Sequence, residues 1–504
     1  MKEKLQRVSP ESAGISSKRT QQLLKDLCSI GNELHGFMLA VDGKVICNSF
    51  AKPYGPSIPH SCHSLGKSYT ATAIGLAVTQ GYLTVEDKLV DIFKDEIAAM
   101  GIELQPGMEK VRVRDLLSMS SGTDGMPAFD DNWFENFLAA KIIHEPGTSF
   151  LYNTTGASML GAIAEKVTGQ NMVAYLQKNL FDKIGIEPAE IIWQSFASGI
   201  TAEPGLCATT EANLRLGMFY ANMGKHNGEQ IISEDWMKAA TSQQIENGKV
   251  HGADNGSAGY GWQLWLNTTP GMYRFDGGQG QLAIVWPNKK VVAAIHQSGR
   301  DPEGCNQCIL LVQRFMEEIA DAPLPEAPAA FEALRAAEDR FIPCPAPSAL
   351  PKEAERFYGN YLMTEGKFMP FIQVAPVDND FWYMFQDRSV QENAVCLEIR
   401  PAEEGLMLRM NNKQTFICGM KGEWVLQDVE NVLPGLTKVA CAAEYKDNGD
   451  LHIILKWLNG WSVSDIILST THRPGDLVLV NTKDMLHEYA APMVQNCKAR
   501  KIKL

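Results

Sequence analysis

Apolar residues recur along this chain with a strand-like spacing, then a helical one, then a strand-like one again. The run HGFMLAVDGKVICNSF at 35–50 reads as two strands joined at Asp42-Gly43, a dipeptide favoured in tight hairpins. From about 60 to 240 the spacing is mostly helical, with loops rich in Gly and Pro. Within it Ala71, Ala73, Ile74, Leu76 and Ala77 predict a buried helix that ends near Gly81. Strands resume at YGWQLWL, QLAIVWP and VVAAIHQ, and Ile309, Leu310, Val312 and Phe315 then mark one face of a helix. Strands, a helical insertion, strands and a helix predict an α+β domain over 1–320. Its antiparallel sheet takes strands from both ends of the domain, is flanked by helices, and lies beside an all-helical region.

Beyond this domain the composition changes. Residues 321–350 hold much of the proline, as in DAPLPEAPAAFEA and PCPAPSALP, and read as a Pro/Ala-rich linker with room for one short helix. Residues 351–504 alternate in short runs, VCLEIRP, LMLRM, QTFICGM, EWVLQDV, LHIILKWL and DLVLV, which predict a C-terminal antiparallel β-barrel.

Bulk properties narrow the partners. A hydrophobic content of 45% with 21% charged residues belongs to a globular protein. The net charge of −13 argues against nucleic acid or an anionic membrane as partner. The N-terminal segment lacks the apolar core of a signal peptide, and no stretch approaches the ~20 apolar residues of a spanning helix, so a cytoplasmic location is expected. Eleven cysteines, an odd number thinly spread, suit reduced thiols. The Cys305/Cys308 pair has no second ligand pair for zinc and merely opens a helix.

Candidate chemistry centres on Ser64 and Lys67, three apart at the start of the helix near 70, where side chains at this spacing share a face. A second such match, Ser49 to Lys52, precedes Pro53 in a strand end and lacks that setting. Gly66-Lys67-Ser68 is not a phosphate loop, because Ser61 stands where the motif needs glycine and PYGPSIPH is no strand. No GxSxG elbow occurs. Lysine in water titrates near 10.4, so a largely neutral amine at pH 7 needs about 4 kcal/mol of bias, which burial and the positive helix end both favour. The same helix end leaves the Ser64 N–H free to receive an oxyanion. Taken alone, the pair reads more readily as an N-cap serine beside a solvated lysine.

Further segments follow Ser64-Leu-Gly-Lys67 in order: Gly81-Tyr-Leu-Thr-Val-Glu-Asp-Lys-Leu, Val113-Arg-Asp-Leu-Leu-Ser-Met-Ser-Ser-Gly122, Pro146-Gly-Thr-Ser-Phe-Leu-Tyr152, Gly156 to Gly169, Gly205-Leu-Cys-Ala-Thr-Thr and Gly259-Tyr-Gly-Trp262. Over residues 8–320 this series resembles the serine β-lactamase-related family. That family includes class C β-lactamases, low-molecular-weight penicillin-binding proteins, D-aminopeptidases and carboxylesterases. The resemblance implies Ser64 as nucleophile, Lys67 as base and Tyr152 as proton relay, with no metal or organic cofactor.

Two positions depart from the family pattern. Its YxN asparagine is replaced by Thr154, with Asn153 in the middle position. Its Lys-Thr-Gly or His-x-Gly strand motif falls at Phe275-Asp276-Gly277, where phenylalanine cannot bind a carboxylate and Arg274 points to the other face. Gly277 to Gln281 instead resembles the glycine-rich version of esterase and amidase branches, in which the Gly278 N–H would complete an oxyanion hole. Tyr260 and Trp262 either wall the pocket or lie in the core, as does Trp265. The expectation is a serine hydrolase acting through an acyl-enzyme on a small amide, short peptide or ester with an uncharged recognised end, and not on β-lactams. A non-catalytic ligand-binding or sensor protein on the same fold is the alternative. The C-terminal segment resembles the lipocalin-like barrels of some D-aminopeptidases, where a barrel loop covers the pocket.

Overall fold

Asp42 and Gly43 both take positive φ, 45° and 75°, the backbone of a two-residue type I′ turn. The expected hairpin therefore forms, Glu33–Val41 against Lys44–Lys52. This is a computed structural model that describes residues 3–196, 198–248, 257–299, 302–366, 368, 394–429, 437–460, 463–484 and 493–503. The hairpin lies in a seven-stranded sheet ordered Asp339–Phe341, Lys44–Lys52, Glu33–Val41, Val291–Ser298, Gln281–Trp286, Tyr273–Gly277 and Trp265–Leu266. Glu33–Val41 runs antiparallel to Val291–Ser298, with Phe37 opposite Ile295, so strands from both ends of the domain meet at its centre as expected.

One face of the sheet is covered by helices Ser17–Ser29, Pro302–Glu317 and Pro328–Glu338, which pack Leu23, Leu27, Phe315 and Leu334 onto Phe37, Leu39 and Ile295. Helix Thr210–Ala221 lies on the strands too and turns Tyr220 onto Phe275, edge to face at 4.9 Å. The helical middle contains a three-stranded sheet of His60–Ser61, Thr201–Ala208 and Ile191–Ser195 that its apolar spacing does not announce. Of its strands, His60–Ser61 has only two residues, too short to show a period.

Two compact units result, one from Met1–Phe50 and Pro59–Arg340, the other from Ala51–Ile58 with most of the chain from Phe341 onward. The stretch 321–350 contains one helix, Pro328–Glu338, and one short strand. Pro328 starts a helix, where its missing N–H costs nothing, Leu334 of that helix is buried, and Asp339–Phe341 edges the sheet.

The second unit is a closed barrel of nine strands, running Gln414–Gly419, Gly405–Met410, Cys396–Ala402, Gly359–Glu365, Met493–Ile502, Asp476–Asp484, Val463–Thr470, Leu451–Trp457 and Lys438–Tyr445. Gly419 pairs with Ala442 to close it, and Val425–Asp428 adds outside that ring. Closure removes the sheet edges that an open sheet would expose. Alternation explains the filling: Leu406, Leu408 and Met410 turn inward together with Phe416, Ile453 and Trp457. Among the described residues no helix is long and apolar enough to cross a membrane.

Candidate active site

Ser64 lies in a 3₁₀ turn, His63–Leu65, that runs straight into helix Gly66–Thr79. The turn is entered through His63, whose φ of 49° is left-handed, a strained backbone of the kind that gathers at functional sites. Lys67 follows in the first turn of the helix, 2% exposed. Its Nζ donates to Ser64 Oγ at 2.9 Å and lies 5.2 Å from the centre of the Tyr152 ring. The face of the Tyr152 ring is stacked on Trp265 at 5.7 Å.

The segment Val113 to Gly122 explains why Tyr152 stands there. Its helix Val113–Leu117 ends in an irregular stretch that accepts from Gly147 N at Ser120 O and from Leu151 N at Met119 O, both at 2.8 Å. Gln263 ties the same elements together: its N–H donates to Leu117 O at 2.9 Å, its amide to Leu116 O at 2.8 Å, and its own carbonyl accepts from Ser68 Oγ at 2.8 Å. The loop around Tyr260 needs glycine at 261, because a Cβ there would lie 2.2 Å from Ala240 O.

The other expected residues divide. Gly277 and Gly278 come to the nucleophile turn. A Cβ on Gly277 would lie 2.1 Å from Cys62 O, so only glycine lets the strand end approach this closely there, whereas one on Gly278 would lie 3.4 Å from His63 Nδ1, an ordinary contact. Asn153 is spent on structure: its Oδ1 accepts from Gly156 N at 2.8 Å as the cap of helix Thr154–Thr168, and its Nδ2 donates to Thr123 Oγ1. Thr154 opens that helix, half-buried. Phe275 is fully buried against Tyr220, and Trp262 is buried against Trp236 at 4.5 Å. Tyr260 is buried too, but it belongs to the cluster behind the site with Met119, Ala157 and Trp265, against which Tyr152 packs. The Arg274 guanidinium donates to Asp276 at 2.7 Å, Leu266 O at 3.1 Å and Asn267 at 3.2 Å.

Behind the turn lies a group of residues that sequence reasoning missed: His35, His60 and His296, all buried. Burial first, and neighbouring imidazoles after it, hold His60 well below the usual range and His296 down at about 3. Isolated histidines in strands carry no spacing signal, so only the fold reveals them. Burial also pushes the Cys62 thiol up to about 12, which makes it an inert neighbour of Ser64. Among the described residues no group of three or more His, Cys, Asp or Glu is arranged to hold a metal ion.

The Beta-lactamase family model matches residues 35–307, more than half of the chain, and the chain belongs to that family. An uncharacterized protein of Alkalihalophilus pseudofirmus is 21% identical over 271 residues, covering 48% of this chain and 75% of that one. Among solved structures, a Bacillus anthracis protein provisionally assigned as a 6-aminohexanoate-dimer hydrolase is similar at 17% identity and TM-score 0.50, over 64% of this chain and 89% of that one. An octameric penicillin-binding protein homologue from Pyrococcus abyssi is similar at 16% identity and TM-score 0.46, over 95% of this chain and 99% of that one.

Proposed function

We propose that the protein is a serine hydrolase that works through an acyl-enzyme at Ser64. The observation that carries this is the 2.9 Å hydrogen bond between Lys67 and Ser64, made by a lysine only 2% exposed. A solvated lysine beside a helix cap would look different. In the reading advanced, Ser64 Oγ attacks a carbonyl carbon and its proton passes to the Lys67 amine. The carbonyl oxygen, now negative, is received by the N–H groups of Ser64 and Gly278. Tyr152 passes a proton to the leaving group as the carbonyl–leaving-group bond breaks, and water then cleaves the ester at Ser64.

The substrate is a small amide, short peptide or ester whose recognised end is uncharged. Strand Tyr273–Gly277 supports this, since its one cation, Arg274, is engaged by Asp276, Leu266 and Asn267, while Phe275 is buried. The hydrolase assigned to the Bacillus anthracis neighbour fits an amide. The commitment of Asn153 to a helix cap favours a second reading, a ligand-binding protein on the same fold that turns nothing over.

A fluorophosphonate and a β-lactam probe, read by intact mass on wild type and Ser64→Ala, separate the two. The hydrolase predicts fluorophosphonate labelling that Ser64→Ala abolishes, and turnover of aryl esters or of D- or L-amino-acid anilides. Labelling that survives in Ser64→Ala, or none in wild type with either probe, would sink Ser64 as nucleophile. Rapid turnover of a chromogenic cephalosporin would sink the neutral-substrate reading alone.

A further inference from the structure

The buried imidazoles sit where two parts of the proposed oxyanion site join. His60 lies on the segment that leads to Ser64 and donates from Nδ1 to Ser61 O at 2.9 Å. Its Nε2 is 2.8 Å from His35 Nδ1. His35 is aimed there by a β-bulge, since the register passes from Leu34 opposite Gln297 to Gly36 opposite His296 and leaves His35 as the extra residue. The ring of His296 packs on that of His60 with centroids 4.7 Å apart.

The tautomer of His296 follows from its partners. Tyr69 OH donates to Asn213 Oδ1 at 2.8 Å, which turns the Asn213 amide nitrogen toward His296 Nε2 at 3.2 Å. An amide nitrogen only donates, so Nε2 accepts and Nδ1–H donates to Gln281 Oε1 at 3.0 Å. Gln281 in turn donates from Nε2 to Gln297 O at 2.6 Å and faces Gly278 O at 3.4 Å. One side chain thus fixes the turn Gly278–Gly280 to the neighbouring strand, and His296 orients that side chain.

We propose that His60 and His296 are positioning residues that hold the Ser64 turn and the Gly278 turn at the spacing their two N–H groups need to receive one oxyanion. The inference rests on the acyl-enzyme reading of Ser64. Oxyanion donors act over a window of a few tenths of an ångström, and a misplacement of about 1 Å is worth roughly 10²-fold in rate. A stack bonded to Ser61, just ahead of the Ser64 turn, and linked to the Gly278 turn through Gln281 is placed to set that window, although neither ring touches the reacting atoms.

The test uses the full-length protein and a short aryl ester, with kcat expressed per serine labelled by fluorophosphonate so that unfolded molecules drop out. His296→Leu removes both hydrogen bonds and is expected to lower kcat per labelled serine at least about tenfold with KM within about threefold. His296→Asn, which still donates to Gln281, is expected to restore most of the loss. Gln281→Met is expected to behave like His296→Leu and decides the matter where His296→Leu does not fold. Values within about twofold of wild type for His296→Leu and Gln281→Met, or a loss that His296→Asn does not relieve, overturn the inference while leaving Ser64 as nucleophile. A wild type without Ser64-dependent turnover overturns the acyl-enzyme reading, and this inference with it.

Discussion

At the scale of single residues, the Lys67 amine reaches Ser64 because helical spacing turns both side chains to one side, and burial keeps water from competing for that contact. Lys67→Met fills the buried stem without a base. A kcat about 10²–10⁴-fold lower, with the fold retained by circular dichroism, is the expected outcome on an aryl ester. Tyr152→Phe keeps the ring stacked on Trp265 and removes only the phenol, so turnover is expected to fall by a similar factor at an unchanged melting temperature. A parallel fall in melting temperature would assign Tyr152 to packing alone. Gly277 is constrained differently. Its backbone is extended, with φ −131°, and alanine is excluded by contact: the Cβ would meet the Cys62 carbonyl, which cannot swing aside as a side chain would. Gly277→Ala is expected to cost about 1–3 kcal/mol in denaturant melts and to slow Ser64 labelling.

At the scale of elements, two sets of histidines respond to pH in opposite directions. His60 and His296 join three elements, and burial lowers both, His296 to about 3 from an ordinary 6.5. Facing them are His35 with Glu33 from the first strand, and His63 and Cys62 from the nucleophile segment. The unfolded chain takes up these protons first. The stability they contribute is therefore whole above pH 6.5 and drains as pH falls below it, for His296 by about 1.4 kcal/mol per pH unit down toward 3. Melting curves from pH 8 to 5 should fall below pH 6.5, and His296→Asn should flatten that slope; equal slopes would refute the assignment. In the barrel, burial pulls His452 down, but hydrogen bonds to Asp465 at 2.6 Å and Glu444 at 2.8 Å outweigh it and raise its pKa. Its contribution is full below pH 6.5 and is lost as pH rises through the raised value. His452→Gln is expected to lower the melting temperature at pH 6 and to leave it nearly unchanged at pH 9.

At the scale of the whole molecule, each unit has its own buried core, one around Phe37 and Phe315, the other around Trp457 and Phe416. Trp457→Ala is expected to destabilise the barrel by about 3–5 kcal/mol while Ser64 remains open to fluorophosphonate, checked by labelling below the mutant's transition. The order of strands, helices, strands and barrel was legible in the chain because binary patterning responds to which face of an element is buried. So was the pairing of Ser64 with Lys67, because a helix turns a spacing of three into proximity without help from elsewhere. Tyr152 was legible only through the likeness of a series of segments, since nothing local ties residue 152 to residue 67. What the chain alone left open were positions reached through space. The amide of Asn153 went to a helix cap, Phe275 and Trp262 went to the core, and His35, His60 and His296 met from separate strands. Local spacing determines which residues share a face of one element, whereas the packing of elements against one another decides which faces meet, and the surroundings of Ser64 depend on both.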